Sequence, residues 1–110
     1  MEKTIENIIK IAEEYDWNID RDGSDITFQK YSNYGQDFYF TLEADSADKL
    51  ISELDSYIDG YDISYEAYMW LDDSGHGRNG APYEMIDVYK DMEDCLEMVK
   101  ELRNHLEYMN

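Results

Sequence analysis

The chain has 110 residues, a length that fits one domain whose core needs no metal or disulfide to hold it. Its 27 Asp and Glu against 9 Lys and Arg give a formal net charge of -18, well above the magnitude of about 2 to 8 that keeps a small domain soluble. Hydrophobic residues make up 43% of the chain and aromatic residues 15%, which excludes a disordered acidic tail. The composition predicts a single acidic domain over residues 1–110.

Cysteine content and hydropathy favour a reducing compartment. Cys95 is the only cysteine, so an internal disulfide is excluded. The sequence shows neither a charged-then-apolar leader nor a run of about eighteen apolar residues. We therefore expect a cytoplasmic protein that makes no membrane contact.

The first half of the chain predicts one helix followed by three strands. Apolar residues recur at helical spacing between residues 4 and 15. Alternating apolar residues then flank the turn sequence of residues 22–25, and a third alternating segment follows Gly35. In that segment Phe38, Phe40 and Leu42 share one face, while Tyr39 and Thr41 take the other. An antiparallel three-stranded meander is the expected result.

The second half predicts three more helices. One is capped at Asp45-Ser46 and stops at Gly60, and a short one runs from its cap at Asp62 to about Leu71. A glycine-rich loop covers residues 73–81, and Pro82 suits the first turn of a long terminal helix. The apolar stripe of that helix is Met85, Val88, Met92, Cys95, Val99, Leu102, Leu106 and Met109. The predicted fold class is α+β, a short three-stranded antiparallel sheet packed against about four helices.

The glycine-rich loop is the one segment that suggests catalysis. A small enzyme could use His76 as general base with support from Asp72, Asp73 and Arg78, whereas the alternative is a structured turn in which glycines supply positive φ. The dinucleotide-type spacing of its glycines follows a helix rather than a strand, and zinc or EF-hand ligand spacing is missing from the sequence. We therefore expect no catalytic residue, no metal and no cofactor.

Carboxylates concentrate in two regions. Residues 43–73 carry ten of them against Lys49 alone, a net charge of -9. On the terminal helix, carboxylates at i, i+4 and i+7 predict an exposed acidic ridge that repeats at about the spacing of phosphates along a DNA strand. The candidate partner-binding residues are Asp55, Asp59, Asp62, Glu66, Asp72 and Asp73 in the first region and Asp87, Asp91 and Asp94 on the ridge.

Residues 61–71, residues 75–83 and the acidic residues 91–93 resemble small acidic proteins encoded on phages and mobile elements of gut bacteria. This resemblance covers roughly the C-terminal half and implies no catalytic residue. In size, acidity and α+β organisation the whole chain also resembles the anti-CRISPR and anti-restriction proteins that imitate nucleic acid. That resemblance is one of class and not of motif.

Together these features predict a non-enzymatic inhibitor that imitates nucleic acid and occupies the basic surface of a nucleic-acid-binding protein, such as a Cas9-type CRISPR effector or a restriction enzyme. Such a protein would not bind nucleic acid itself. The alternative is an acidic interaction module that forms a homodimer through its C-terminal helix, with acidity serving solubility. A simpler possibility is a solvated acidic face that has no partner.

Overall fold

The structure is a computed structural model and describes residues 2–109. This part of the chain contains four helices and one sheet. The expected α+β class, with a three-stranded antiparallel sheet and a long terminal helix, is confirmed. In chain order the elements are α1 (Ile5–Glu14), β1 (Asn18–Asp22), β2 (Asp25–Tyr31), β3 (Asp37–Glu43), α2 (Ala47–Asp59), α3 (Ile63–Met69) and α4 (Met85–His105).

Side-chain caps fix where the first three helices begin. Thr4, Ser46 and Asp62 are extended, and each side chain accepts a hydrogen bond from the backbone N–H three residues later, at 3.1, 3.2 and 3.2 Å. Such a cap satisfies one of the N–H groups that a helix leaves free and is worth about 1 kcal/mol. The caps expected at residues 45–46 and 62 are therefore confirmed.

The sheet has the order β1-β2-β3 and packs one face into the core. Gly23, at φ +62°, makes the tight turn between β1 and β2. Phe28 lies opposite Phe40 in the register, and their rings stack at 5.1 Å between centroids with the edge of buried Trp17 against both. The outer face is polar, and Tyr39 and Thr41 lie on it as expected.

The terminal helix supplies much of the core through one buried stripe. Val88, Met92, Cys95, Val99, Leu102 and Leu106 are all at most 2% exposed. The helix packs against α2 and α3, and the ring of His105, its last residue, stacks on Tyr15 at 3.5 Å between centroids. The last turn of α4 therefore packs against the residue that follows α1, whereas Tyr108 beyond it is 89% exposed.

Three local expectations are corrected. The third helix ends at Met69 rather than near Leu71, because Leu71 forms a bridge with Gly77 and the Arg78 N–H donates to the Trp70 carbonyl at 2.7 Å. Pro82 precedes the terminal helix instead of lying in its first turn, and Met85 is 53% exposed rather than part of the buried stripe.

Within residues 2–109, no helix is long and apolar enough to cross a membrane.

Candidate partner-binding surface

The predicted ridge on α4 is wrong at its centre, because Asp91 is fully buried. Its Oδ2 accepts a hydrogen bond from the Ser32 hydroxyl at 2.6 Å, while its Oδ1 has no partner among the described residues. Burial raises the pKa of Asp91, and the Ser32 hydroxyl and the Tyr34 backbone N–H oppose that shift. An enclosed carboxylate cannot contact a partner, so Asp91 is removed from the candidate surface.

Asp91 instead belongs to a polar network that ties loops together under α4. The Ser32 hydroxyl also accepts the Gln36 backbone N–H at 2.9 Å. The buried Gln36 side chain donates to the Ala81 carbonyl at 3.2 Å and accepts from the Asn79 amide at 2.6 Å. These bonds hold the β2–β3 connection and the glycine-rich loop in fixed positions beside the terminal helix.

The two remaining ridge residues face away from α3. Asp94 is half-buried and accepts a hydrogen bond from Asn33 at 3.0 Å, so this flank of α4 faces the β2–β3 connection. Tyr89 marks the other flank, since its hydroxyl lies 3.4 Å from Ser64 of α3. Asp87 is two residues from Tyr89, about 200° around the helix. The structure therefore does not bring the two predicted acidic regions onto one face.

Ion pairs neutralise the predicted cluster along α2. Asp48 pairs with Lys3 at 3.3 Å, Glu53 with Lys49 at 2.8 Å, and Asp55 with Arg103 at 2.7 Å. Hydrogen bonding to Asp55 raises the pKa of the Arg103 guanidinium, so the guanidinium stays charged. Asp55 is thus engaged within the chain, which leaves it poorly placed to contact a partner.

Carboxylates without such partners lie at both ends of α3. Asp59 and Asp62 precede the helix and Asp72 and Asp73 follow it; all four are exposed, and none forms an ion pair among the residues described. Asp72 accepts hydrogen bonds from the Ser74 hydroxyl and the backbone of the following loop, and these bonds lower its pKa. The seven residues of α3 between them span about 10 Å along the helix axis.

Aromatic and sulfur side chains are exposed between those pairs. Tyr65 is 62% exposed, Tyr68 73% and Met69 50%, and i,i+3 and i,i+4 spacing places them on one side of α3. The inward side of the helix carries the buried Ala67. We use the name α3 face for the exposed residues in and around this helix, which are Asp59 at the end of α2, Asp62, Tyr65, Tyr68, Met69, Asp72 and Asp73.

Glu66 is the one predicted residue of α3 that does not lie on the α3 face. It is half-buried on the inward flank of the helix, beside the aromatic side chains of Tyr57 and Trp70. Burial raises the pKa of Glu66, and the nearby Asp62 charge adds to this effect. Sequence periodicity places Glu66 on α3 but gives no signal that its carboxylate faces a cavity.

The loop hydrogen bonds favour the structured-turn interpretation of His76. The Ser74 hydroxyl donates to Asp72 Oδ1 at 2.6 Å and lies 2.9 Å from His76 Nδ1, while the imidazole stacks on Tyr83 at 4.2 Å. Gly75 and Gly80 lie at φ +81° and +79°, as the structured-turn alternative expects. The guanidinium of Arg78, expected to support His76, bonds to the Leu71 carbonyl at 3.2 Å.

The described residues include no group of three His, Cys, Asp or Glu side chains placed to hold a metal ion. Cys95, Tyr57 and Tyr61 have pKa values raised chiefly by burial. The strongest chemical feature is thus the α3 face, where exposed carboxylates flank exposed tyrosines. No protein-family model, curated protein or solved structure matches the chain.

Proposed function

We propose that this protein is a non-enzymatic, cytoplasmic inhibitor whose α3 face occupies the basic nucleic-acid-binding surface of a bacterial defence protein. The target class is a CRISPR effector of the Cas9 type or a restriction enzyme. The observation that carries the proposal is a contrast between two groups of carboxylates. Along α2, Asp48, Glu53 and Asp55 are paired with cations, whereas the carboxylates of the α3 face have no such pairing among the residues described.

The sequence around the α3 face carries few basic residues. No Lys or Arg occurs between Lys49 and Arg78, so the whole segment that builds the α3 face lacks an internal counter-charge. The Arg78 guanidinium is held by a backbone carbonyl. Unneutralised charge of one sign at one end of a molecule attracts and orients a partner of opposite sign.

Nucleic-acid-binding proteins hold phosphates with Lys and Arg and contact bases with flat apolar surfaces. The α3 face offers an equivalent set, because carboxylates accept charge-assisted hydrogen bonds from the same cations. Tyr65 and Tyr68 supply flat side chains between the carboxylates, and tyrosine is enriched in the cores of protein interfaces. Contacts of this kind weaken as salt screens the charges.

The homodimer hypothesis draws no support from the arrangement of α4. From Val88 onward its apolar stripe is already buried inside the chain, whereas Met85, Ile86 and Tyr89 in its first turns are exposed. From residue 90 to residue 107 the exposed positions are Lys90, Glu93, Glu97, Lys100, Glu101, Asn104 and Glu107, all polar or charged. A coiled-coil partner would need an apolar seam at these positions.

The first experiment measures binding to a purified Cas9-type effector, with and without guide RNA, between about 50 and 500 mM salt, where the Debye length shortens severalfold. We expect binding that falls steeply with salt and that a double-stranded DNA competitor prevents. Affinity that does not change with salt, or unimpeded binding in the presence of the competitor, would refute nucleic-acid mimicry. A restriction enzyme assayed in the same way tests the second target class.

A matched pair of double variants tests the α3 face itself. Asp59→Asn with Asp73→Asn removes two carboxylates that form no hydrogen bond or ion pair among the residues described. Glu13→Gln with Asp20→Asn removes the same charge at exposed positions of α1 and β1. We expect the first variant to weaken binding about tenfold or more and the second to weaken it much less. Equal losses would show that total charge, not the α3 face, drives association.

A further inference from the structure

A cavity of about 370 Å³ opens behind the α3 face, at the outer edge of the sheet. Phe38, Tyr39 and Phe40 all line it, and consecutive strand residues can do so only where the cavity lies along the strand edge. β3 is an outer strand, so this edge carries no neighbouring strand from residues 2–109. The remaining walls are Tyr57, Glu66, Met69, Trp70, Arg78 and Asn79.

The cavity walls are largely aromatic and rigidly held. Tyr57 stacks on Phe40 at 4.3 Å between ring centroids, with an interplanar angle of 15°, and packs edge-on against Tyr61 at 5.9 Å. Tyr61 is fixed in turn by donating from its hydroxyl to the Met92 carbonyl at 2.7 Å. Aromatic rings fixed in this way present faces that attract a cation.

Glu66 supplies a negative charge to the same cavity. The side chain is half-buried and forms no ion pair with any described residue. Glu66 and Tyr57 both line the cavity. A partly desolvated carboxylate without a counter-ion costs free energy, and a bound cation would recover part of that cost.

Arg78, the one cation among the residues that line the described cavity, is engaged elsewhere. Its backbone N–H donates to the Trp70 carbonyl at 2.7 Å, and its Nη2 donates to the Leu71 carbonyl at 3.2 Å. The same residue also lines the neighbouring concavity together with Tyr68, Met69, Asp72 and Asp73 of the α3 face. The guanidinium therefore bonds the Leu71 carbonyl and forms no ion pair with Glu66, whose negative charge is available to a cation from outside.

We propose that this cavity receives an arginine side chain of the partner, with its guanidinium against Glu66 and its plane stacked on the aromatic walls. The inference rests on the proposed function, which requires a partner rich in exposed cations, and it names the side chain that anchors that partner. Arginine fits better than lysine because its planar guanidinium both stacks on aromatic rings and bonds a carboxylate through two nitrogens.

The test uses small probes, so that it does not depend on knowing the partner. N-acetyl-arginine amide is titrated into the full chain, and the indole N–H signals are followed by NMR. Trp70 lines the cavity, whereas Trp17 is only 2% exposed in the core and serves as an internal control. The uncharged N-acetyl-citrulline amide has nearly the same shape as the arginine probe. N-acetyl-lysine amide has the positive charge but lacks the planar guanidinium group.

We expect the arginine probe to shift the Trp70 signal and not that of Trp17, with the lysine probe binding more weakly and citrulline not at all. Glu66→Gln keeps the shape of the side chain and should weaken arginine binding by about tenfold or more, while Asp20→Asn should leave it unchanged. Equal binding of arginine and citrulline, an unmoved Trp70 signal, or full binding to a folded Glu66→Gln variant would each overturn the proposal.

The same variant separates this inference from the proposed function. The Glu66→Gln variant could lose binding of the arginine probe and still bind the effector as tightly as the natural chain. The cavity would then not anchor the partner, so the inference would fail while the proposed function would stand. If the probe requires Glu66 but no effector is bound at any salt concentration, the function fails and the cavity still selects arginine.

Discussion

Replacing Asp91 by Asn should change how the stability of this protein depends on pH. Asp91 is fully buried, it accepts one hydrogen bond from Ser32, and burial raises the pKa of its carboxyl in the folded state. In the unfolded chain the same carboxyl ionises near its ordinary value of about 3.9. Between these two values the unfolded state binds fewer protons than the folded state, so the free energy of unfolding falls as pH rises.

The magnitude follows from proton linkage. For each pH unit inside that window, Asp91 removes up to about 1.4 kcal/mol of stability, and the loss is complete once pH exceeds the folded pKa. The amide that the Asp91→Asn variant carries at this position does not titrate. Stability of the natural chain minus that of Asp91→Asn should therefore be greatest below the unfolded pKa and decline as pH rises, while the other carboxylates cancel in the difference.

Urea unfolding of both chains between about pH 4 and pH 7, followed by circular dichroism and tryptophan fluorescence, measures this difference. Ser32→Ala provides a second check, because removing a donor that lowers the pKa of Asp91 should move the decline to higher pH. A difference that stays constant with pH would show that folding leaves the pKa of Asp91 unchanged, and one that grows as pH rises would show that its carboxylate is stabilised in the charged form. Either result would refute the argument.

Three further substitutions test the packing around the candidate surface by urea unfolding. Gly77→Ala should cost about 1–3 kcal/mol or more, because a Cβ would collide with the Pro82 carbonyl oxygen. Asp62→Ala should cost about 1 kcal/mol by removing the α3 cap, and an unchanged stability would refute that role. Arg103→Met should cost about 1 kcal/mol at low salt by releasing Asp55, with a smaller loss at high salt.

Sequence periodicity was enough for the main elements of the fold. The strand faces follow from strict alternation in β3, and the helix starts follow from Ser46 and Asp62, whose short acceptor side chains both form the predicted cap. The early end of α3 could not be predicted, because it depends on a contact with residues that come later in the chain. The Arg78 N–H bonds to Trp70 and turns residues 70–78 into a small hairpin.

The burial of Asp91 had a signal in the sequence that the i, i+4, i+7 pattern concealed. At 100° per residue, Asp91 lies only about 60° from Val88 and 40° from Cys95, within the half of α4 that faces the core. The cavity beside Glu66 had no such signal, because its walls come from β3, α2, α3 and the glycine-rich loop. Which carboxylates find a counter-charge depends likewise on tertiary packing, as the pairing of Asp55 with Arg103 shows.

The placement of the ion pairs gives the acidic surface a thermodynamic consequence. Asp59 and Asp73 have no counter-charge among the residues described, so mutual repulsion opposes folding at the α3 face. Asp59→Asn with Asp73→Asn should therefore unfold at a higher urea concentration than the natural chain at low salt, and the two should converge as salt screens the charges. Asp48→Asn is the matched control, since it removes a carboxylate paired with Lys3 and should give no such gain.

If both variants gain stability, excess negative charge destabilises the fold wherever it lies, and the α3 face is not distinct. A gain confined to the α3 face would show that its repulsion is stored in the free protein and is released when cations arrive. Binding a basic partner would then stabilise the fold by the same mechanism as salt, but at one place. This selective absence of counter-charge is what separates an acidic binding surface from an acidic coat that serves solubility.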